Sequence, residues 1–324
     1  MPTILLSAPY MLPFIDRFRP IFAHAGVQLI APEVGERLEE EEILRHAGQF
    51  DGAICGDDRY TARVLAACAP RLKVISKWGT GIDSIDREAC ARLGIRICNT
   101  PNAFTLPVAD SVLGYMLAFA RRQPWMDRAM KGVGAGSPRP TWQKIPGRSL
   151  SECALGVIGV GNCGKAVLRR AAAFGMELLG NDILPIAPDF LAEYRIQMTS
   201  LNDLLARADF VSVNCDLNPT SHHMINADTL GKMKPTAILI NTARGPLVDE
   251  PALITALQSG QIAGAALDVF EVEPLPHDSP LLQMDNVLLA PHNANSSPAA
   301  WERVHRNTIR NLFDGLGIEW TNDQ

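Results

Sequence analysis

The sequence contains no long apolar run, and this absence sets the first limit on what the protein can be. A membrane-spanning helix needs about eighteen consecutive apolar residues, and no stretch of the 324 residues approaches that length. The opening stretch MPTILLSAPY also lacks the basic residues and the long apolar core of a signal peptide. We therefore expect a cytoplasmic protein that has no membrane partner.

An excess of positive charge is missing as well. The chain has 30 Lys and Arg residues against 35 Asp and Glu residues, and its formal net charge is −5. Proteins that bind nucleic acid normally carry a basic face, so we do not expect a nucleic-acid partner. The seven cysteines are scattered without Cys-x-x-Cys spacing, which argues against a disulfide framework or a zinc site. We expect reduced thiols and no bound metal.

What the sequence does have is a regular alternation of short apolar runs and longer segments of helical period. Its length and its 47% hydrophobic content suggest two domains with large cores. The apolar runs are unbroken, which is typical of parallel strands covered on both faces. They lie at residues 3–7, 27–30, 52–55, 73–76 and 95–98, then at 154–159, 176–181, 210–214, 237–241, 263–268 and 287–290. This alternation predicts an α/β protein with two doubly wound, Rossmann-like parallel sheets.

A break in composition separates the two series of apolar runs. The predicted helix at residues 107–122 is followed by the polar passage KGVGAGSPRPTWQKIPG at 131–147, which is rich in glycine and proline. We expect the boundary between the two α/β units to lie in this part of the chain.

A glycine-rich loop interrupts the stretch LGVIGVGNCGKAV at residues 155–167. It follows a predicted strand and opens a predicted helix, which is the context of a dinucleotide site. In such a site Gly159 would make the turn, Gly161 would admit a pyrophosphate and Gly164 would let helix and strand pack closely. The free N–H groups at the start of the helix would face the phosphates.

Asp182 follows the next predicted strand and bears on the choice of cofactor. Its carboxylate would accept hydrogen bonds from the adenosine ribose hydroxyls and would repel a 2′-phosphate, which favours NAD over NADP. The alternative is that Asp182 only caps the loop before ILPIAP.

Three later passages carry the remaining chemistry: INTARGPLVDE with Arg244, ALDVFEVEP with Glu273 and VLLAPHNANSS with His292. Each lies at or beyond the carboxyl end of a predicted strand, where open α/β sheets bind ligands. His292 would take the hydroxyl proton of an alcohol while hydride leaves the same carbon. Glu273 would orient that imidazole and favour its protonated form, and Arg244 would bind a carboxylate. Taken singly, a surface ion pair, a solvated turn and a structural histidine stay open as alternatives.

In this order the motifs resemble the NAD-dependent D-isomer-specific 2-hydroxyacid dehydrogenases, which include phosphoglycerate, glycerate and D-lactate dehydrogenases and the glyoxylate/hydroxypyruvate reductases. The resemblance covers nearly the whole chain, because KWGTGIDSIDREACARLGIRICNTP is similar to the family's substrate loop and the strand after it. It implies that Arg244, Glu273 and His292 form the catalytic set.

The resemblance also implies ligand contacts and a domain arrangement. Residues 1–100 with 294–324 would form a flavodoxin-like substrate-binding domain, and residues 101–293 the NAD-binding Rossmann domain, with a cleft between them and a homodimer as the assembly. Lys77, Trp78, Gly79, Thr80 and Gly81 would line the substrate side together with Arg244, and their backbone N–H groups would meet the substrate carboxylate. The implied NAD contacts, with Asp268 near the nicotinamide carboxamide, come from Gly159, Gly161, Asn162, Cys163, Gly164, Asp182, Thr242, Ala243, Arg244, Asp268, His292 and Asn295.

The chain departs from the family pattern in three places. Asn293 and Asn295 stand where many relatives have small residues, so they could narrow the nicotinamide end or add hydrogen bonds there. Trp78 is bulkier than expected and would either shrink the pocket or pack internally. The insertion GVGAGSPRP at residues 132–140 has no counterpart that we can assign.

Substrate identity is left open by the sequence. A phosphorylated substrate would need cations beyond Arg244, and Arg59 and Lys77 are the candidates because each follows a strand of the first series. The activity expected first is similar to that of phosphoglycerate dehydrogenase. The alternatives are a reductase of small 2-ketoacids such as glyoxylate or hydroxypyruvate, and a redox-sensing corepressor that binds NAD and a protein partner on the same fold.

Overall fold

The computed structural model describes residues 1–132, 142 and 144–319. The chain divides into two compact units, which we call the first unit, Met1–Phe104 with Ser296–Gln324, and the second unit, Thr105–Asn295. The domain limits expected at residues 100 and 293 differ from these by four and two residues (104 − 100 and 295 − 293). Most of the insertion at 132–140 lies outside the described residues.

The first unit is built on a five-stranded parallel sheet in the order β2-β1-β3-β4-β5. The three central strands are buried along their whole length, which explains their unbroken apolar character. The order is that of flavodoxin-like sheets. The strands are β1 Thr3–Leu6, β2 Gln28–Ile30, β3 Gly52–Cys55, β4 Val74–Lys77 and β5 Arg96–Cys98.

Five α-helices cover this sheet: α1 Ile15–His24, α2 Glu40–Leu44, α3 Ala62–Cys68, α4 Arg87–Leu93 and α12 Pro298–Leu316. The last helix of the described chain, α12, packs against β3 and β4. Gly315 permits the close approach, because a Cβ there would lie 2.6 Å from the Val74 side chain. Ser297 begins α12 by accepting the Ala300 N–H with its hydroxyl.

The second unit contains a seven-stranded parallel sheet in the order β12-β11-β10-β9-β6-β7-β8. Its strands are β6 Ala154–Ile158, β7 Glu177–Asn181, β8 Gln197–Met198, β9 Phe210–Val213, β10 Ile238–Asn241, β11 Gly264–Leu267 and β12 Val287–Leu289. Its helices are α5 Thr105–Ala120, α6 Gln123–Lys131, α7 Asn162–Ala173, α8 Pro188–Tyr194, α9 Leu201–Arg207, α10 Ala227–Leu230 and α11 Glu250–Gln258. The chain runs outward from β6 through β7 and β8, then returns to β9 on the other side of β6. The carboxyl ends of β6 and β9 therefore form the crevice at which such sheets bind ligands.

The prediction of two doubly wound parallel sheets is confirmed. All eleven apolar runs contain a strand, and the helix expected at 107–122 is α5, two residues earlier at each end. The two-residue edge strand β8 was not predicted, because so short a segment carries no periodic signal.

Candidate active site

In the glycine loop after β6, two of the three glycines have a specific steric reason. Gly159 has φ +88°, and a Cβ there would lie 2.5 Å from the Cys215 backbone nitrogen, beyond the end of β9. A Cβ on Gly164 would lie 2.1 Å from the Gly159 carbonyl oxygen, so α7 can approach the loop only without a side chain at this position. These contacts agree with a turn at Gly159 and close packing at Gly164.

Gly161 differs from the other two glycines because its missing side chain leaves open space. It precedes the first residue of α7, and no heavy atom of the described chain lies within 4 Å of the position its Cβ would take. The next two residues, exposed Asn162 and half-buried Cys163, form the first turn of α7. Burial raises the pKa of the Cys163 thiol, which keeps it neutral. The loop thus offers free helix N–H groups beside an open backbone, as a pyrophosphate requires.

Asp182 lies next to this loop and has two backbone contacts. Its Oδ2 accepts the Val160 N–H at 2.6 Å, and its Oδ1 accepts the Leu184 N–H at 2.8 Å. The second contact is the loop cap that stood as the alternative. Because each carboxylate oxygen can accept a further hydrogen bond, the cap and a ribose-binding role are compatible.

The loop after β10 is held by a buried asparagine. Asn241 Nδ2 donates to the Arg244 carbonyl at 2.8 Å, and Asn241 Oδ1 accepts the Ala243 N–H at 3.1 Å. Between them, Thr242 is buried, and its hydroxyl has no hydrogen-bond partner among the described residues. An orphaned buried hydroxyl is costly, so Thr242 fits a site where a bound polar group completes its bonding. Together with the open backbone at Gly161, it makes these residues a fit for NAD.

His292 and Glu273 form a direct pair. His292 Nδ1 lies 2.9 Å from Glu273 Oε2, and the two side chains are 23% and 21% exposed. The other oxygen, Glu273 Oε1, accepts the Phe270 N–H at 2.9 Å, so the carboxylate cannot rotate freely. Nδ1 is therefore the ring nitrogen of His292 that faces the carboxylate.

The backbone at His292 is unusual and tightly held. Its φ is +49°, a left-handed value that is uncommon for a residue with a side chain. The His292 N–H donates to the Asp268 carbonyl at 2.8 Å and to the Ala290 carbonyl at 3.1 Å. Backbone held in such a conformation is typical of functional sites.

Arg244 begins the segment that lies against the Glu273 loop. Its Nη1 donates to the Ala243 carbonyl at 2.8 Å. The next residue, Gly245, touches the backbone after β11 so closely that a Cβ would lie 1.8 Å from the Phe270 carbonyl oxygen. The loops that carry Arg244 and Glu273 are therefore in direct backbone contact.

Asp268 is buried at the end of β11 and anchors the chain after His292. Its Oδ1 accepts the Asn293 N–H and its Oδ2 accepts the Ala294 N–H, both at 2.8 Å. Burial raises the pKa of this carboxyl, and the two N–H groups oppose that shift. Asn293 is exposed and Asn295 is half-buried. At Asn293, where the sequence departs from the family pattern, the structure therefore shows a backbone hydrogen bond to Asp268.

In the first unit, Trp78 is packed internally. The residue is 3% exposed, and its ring lies 5.3 to 5.8 Å from the rings of Tyr10, Phe104, Trp301 and His305. Its Nε1 donates to His305 Nδ1 at 2.9 Å, and burial lowers the pKa of His305 to about 4. The Trp78 N–H donates to the Cys55 carbonyl, so this residue offers no backbone donor to a substrate.

The loop after Trp78 has a different character. Among the described residues, no backbone carbonyl accepts the N–H of Gly79, Thr80 or Gly81. Gly79 has φ +130°, and its carbonyl accepts both the N–H and the hydroxyl of Thr100, each at 2.9 Å. The loop is therefore fixed through its carbonyls.

Both candidate phosphate ligands of the first unit are paired with carboxylates. Lys77 is nearly buried, and its Nζ lies 2.9 Å from Asp57 Oδ1. The exposed Arg59 has its Nε 3.9 Å from Glu39 Oε2.

Within residues 1–132, 142 and 144–319, no group of three or more His, Cys, Asp or Glu side chains could hold a metal ion. No helix of that same part of the chain is long and apolar enough to cross a membrane. All seven cysteines have free thiols.

Sequence reasoning missed two residues that shape the site, Asn241 and Gly245. Both lie inside the quoted passage INTARGPLVDE. A polar residue at the end of a buried strand is a signal for Asn241, whereas the contact of Gly245 is purely tertiary.

Comparison with known proteins places these motifs in one family. Residues 113–294 match the model of the D-isomer specific 2-hydroxyacid dehydrogenase, NAD binding domain. Glyoxylate reductase of Thermofilum pendens is 40% identical over 276 residues, which is 84% of this chain and 80% of that protein. D-3-phosphoglycerate dehydrogenase of Methanocaldococcus jannaschii is 39% identical over 286 residues, 86% of this chain and 53% of that protein.

A solved structure shows the same architecture. D-lactate dehydrogenase from Aquifex aeolicus, complexed with NAD and lactic acid, has a TM-score of 0.83 at 28% identity, covering 97% of this chain and 95% of the other.

Proposed function

We propose that this protein interconverts a small unphosphorylated D-2-hydroxyacid and its 2-ketoacid. The chain belongs to the D-isomer specific 2-hydroxyacid dehydrogenase family and is an NAD-dependent oxidoreductase. The observation that carries this proposal is the pair of His292 Nδ1 and Glu273 Oε2 at 2.9 Å, beside the loop of Arg244. An imidazole backed by a carboxylate can give and take a proton near neutral pH.

In the proposed mechanism each residue of this set has one task. His292 gives a proton from Nε2 to the carbonyl oxygen of a 2-ketoacid, or takes it from the hydroxyl in the reverse direction. Glu273 holds the ring by Nδ1 and stabilises its protonated form. Arg244 binds the substrate carboxylate and polarises the neighbouring oxygen. The nicotinamide of bound NAD(H) supplies or accepts the hydride.

The cofactor contacts are also part of the proposal. Gly159, Gly161 and Gly164 with the first turn of α7 would hold the pyrophosphate, and Asp182 the adenosine ribose. Thr242 and Ala243 would line the site after β10, and Asp268 would orient the carboxamide end. In the first unit, the N–H groups of Gly79, Thr80 and Gly81 would bind the substrate carboxylate. The support is the open backbone at Gly161, the orphaned Thr242 hydroxyl and the donors left by the Gly79 loop.

The charges of the first unit favour a monoanionic substrate over a phosphorylated one. The Lys77 ammonium is compensated by Asp57 at 2.9 Å, and Arg59 faces Glu39. Asp58, next to Asp57, is a second carboxyl close to Lys77, and burial raises its pKa to about 6. A phosphate would bring about two further negative charges to this region. Small ketoacids such as glyoxylate and hydroxypyruvate carry only the one carboxylate that the Gly79 loop accommodates.

The test is a comparison of kcat/KM for glyoxylate, hydroxypyruvate and 3-phosphohydroxypyruvate, measured by NADH absorbance. We expect the unphosphorylated acids to be preferred, and we expect Asp57→Asn to raise the relative kcat/KM of the phosphorylated acid by releasing the Lys77 charge. Asp16→Asn is the matched control, because Asp16 forms an exposed ion pair with Arg19 in the same unit. A wild-type preference for 3-phosphohydroxypyruvate would reject the proposed substrate class.

The same assay separates an enzyme from a redox-sensing corepressor. A corepressor would bind NADH without consuming it in the presence of any 2-ketoacid. The held geometry of His292 and Glu273 supports turnover, because binding alone does not need a paired imidazole.

We also propose that the functional assembly is a homodimer. On α5, the half-exposed face carries small residues and one tyrosine, namely Pro107, Ser111, Gly114, Tyr115 and Ala118, which suit close contact with a second copy. Light scattering should give twice the chain mass of 35.2 kDa. A mass of 35.2 kDa at micromolar protein would reject the dimer.

A further inference from the structure

A second histidine–glutamate pair lies in the second unit, apart from His292 and Glu273. His223 Nε2 is hydrogen-bonded to Glu271 Oε1, with side chains 35% and 24% exposed. Neither residue belongs to the proposed catalytic set or to the NAD contacts. His223 is the second of two adjacent histidines in the stretch NPTSHHMIN.

His223 contacts two of the three loops that carry the proposed catalytic residues, those of Arg244 and Glu273. Its backbone N–H donates to the Pro246 carbonyl at 2.9 Å, two residues after Arg244. Its side chain binds Glu271, two residues before Glu273. One residue therefore ties the Arg244 segment to the Glu273 loop from outside the reaction centre.

The contacts around Glu271 show how little freedom the Glu273 loop has. The Glu271 N–H donates to Glu250 Oε2 at 3.2 Å. Glu250 opens α11, and burial together with the Glu271 charge raises the pKa of its carboxyl. Two carboxylates thus meet at this loop, and the His223 ring is the donor that satisfies one of them.

The backbone of His223 is itself held in an uncommon conformation. Its φ is +50°, a left-handed value that is unfavourable for a residue with a side chain. Asn226 Nδ2 donates to the His223 carbonyl at 2.9 Å, and the His222 ring stacks on the His223 ring at 3.9 Å. The N–H, the carbonyl and the ring of His223 each have a hydrogen-bond partner, so its position is well fixed.

We propose that His223 is a positioning residue for the dehydrogenase reaction, because it fixes the Glu273 loop against the Arg244 segment and so sets the alignment of Glu273 on His292. This inference rests on the proposed function, in which Arg244 and Glu273 act on the substrate. A displacement of about 1 Å at such a site can lower turnover by about a hundredfold.

The test compares His223→Ala with His223→Gln. Both variants place a non-glycine residue at φ +50° and share that backbone cost, but only glutamine keeps a donor that can reach Glu271. We expect His223→Ala to lower kcat about ten- to a hundredfold, with little change in the KM for NADH or in NADH affinity measured by fluorescence. We expect His223→Gln to recover most of kcat.

The pH–rate profile distinguishes positioning from a purely structural role. When Glu273 loosens, the protonated imidazole of His292 loses support, so the alkaline limb for ketoacid reduction should move to lower pH in His223→Ala. The titratable side chains that contact His223 are His222 and Glu271, and Glu250 contacts the backbone of Glu271. Glu271→Ala should therefore have the same effect, and the double variant should be no worse than either single variant. His24→Ala is the matched control, because His24 is an exposed histidine in α1 of the first unit.

The outcomes are separable. A folded His223→Ala protein with wild-type kcat and pH profile would overturn the inference while leaving the proposed function intact. Reduced thermal stability with unchanged kcat per folded molecule would overturn it as well, since it indicates a structural role. A wild-type protein that reduces no 2-ketoacid would reject the proposed function, and the inference with it.

Discussion

Gly245→Ala is the sharpest perturbation that the site offers, because it adds one methyl group at a point of backbone contact. The new Cβ would lie 1.8 Å from the Phe270 carbonyl oxygen, 1.9 Å from its carbonyl carbon and 2.5 Å from the Glu271 nitrogen. Such contacts below 3.0 Å are essentially never tolerated, so the two loops must separate by at least about 1.2 Å (3.0 − 1.8). The φ of Gly245 is not in the left-handed range, so the effect is steric.

The displacement falls on the residues that fix the proposed catalytic set. Phe270 donates its N–H to Glu273 Oε1, and Gly245 follows Arg244 directly. A shift of about 1.2 Å therefore moves Glu273 relative to Arg244, and we expect kcat to fall about a hundredfold. NADH affinity should change less than kcat, because the glycine loop after β6 is not touched, although Thr242 and Ala243 lie on the displaced loop. Steady-state kinetics with a 2-ketoacid and fluorescence titration with NADH measure the two effects.

The matched control is Gly35→Ala, another loop glycine without a left-handed φ. No heavy atom of the described chain lies within 4 Å of the position of its Cβ, so we expect wild-type kinetics and stability within about 0.5 kcal/mol. If folded Gly245→Ala turns over at the wild-type rate, the contact between the loops does not position Glu273, and the reasoning from backbone approach to catalysis is wrong.

Three further predictions concern other parts of the chain. His292→Ala should lower kcat roughly a hundred- to ten-thousandfold and keep NADH affinity, and wild-type turnover in the folded variant would contradict its role in proton transfer. NADP should bind more weakly than NAD, and Asp182→Asn should narrow that difference in a fluorescence titration; equal binding to the wild type would refute the assignment. Burial raises the pKa of Asp58 from 3.8 to about 6. As the pH rises from 4 to 7, the buried carboxylate becomes charged and lowers the free energy of unfolding. Over that range, denaturant titrations should show Asp58→Asn gaining up to about 3 kcal/mol relative to the wild type, and a difference independent of pH would contradict this.

The sheets could be predicted because parallel strands carry their signal locally. Residues such as those of β3 and β10 are buried on both faces, so each strand is an unbroken apolar run whatever its neighbours are. The close packing at Gly164 was predictable for the same reason, since it involves the strand and helix that flank it, whereas Gly159 is constrained by Cys215 after β9. The order of the strands follows from pairing between distant segments, so no single apolar run predicts it.

The proposed catalytic set could be predicted in part: its residues could, but the contacts that hold them could not. Arg244, Glu273 and His292 follow β10, β11 and β12, which are neighbours in the sheet, so a rule about strand ends was enough to bring them together. The contacts that hold them could not be predicted in the same way. Gly245 against Phe270, and His223 against Glu271, join loops that are 25 and 48 residues apart, and nothing in either loop alone indicates its partner.

The charges of the first unit show what a sequence leaves open. From their positions after strands, Lys77 and Arg59 are either candidate phosphate ligands or solvated side chains, because a sequence gives the sign of a side chain but not its partner. In the structure, Asp57 lies 2.9 Å from the Lys77 ammonium, which is 4% exposed. An ammonium that is shielded from water and already paired has little attraction left for a second anion, because binding that anion would require displacing or desolvating its partner. In the proposed function, selectivity for the charge of the substrate therefore depends on Asp57, a carboxylate that no pattern of cations could reveal.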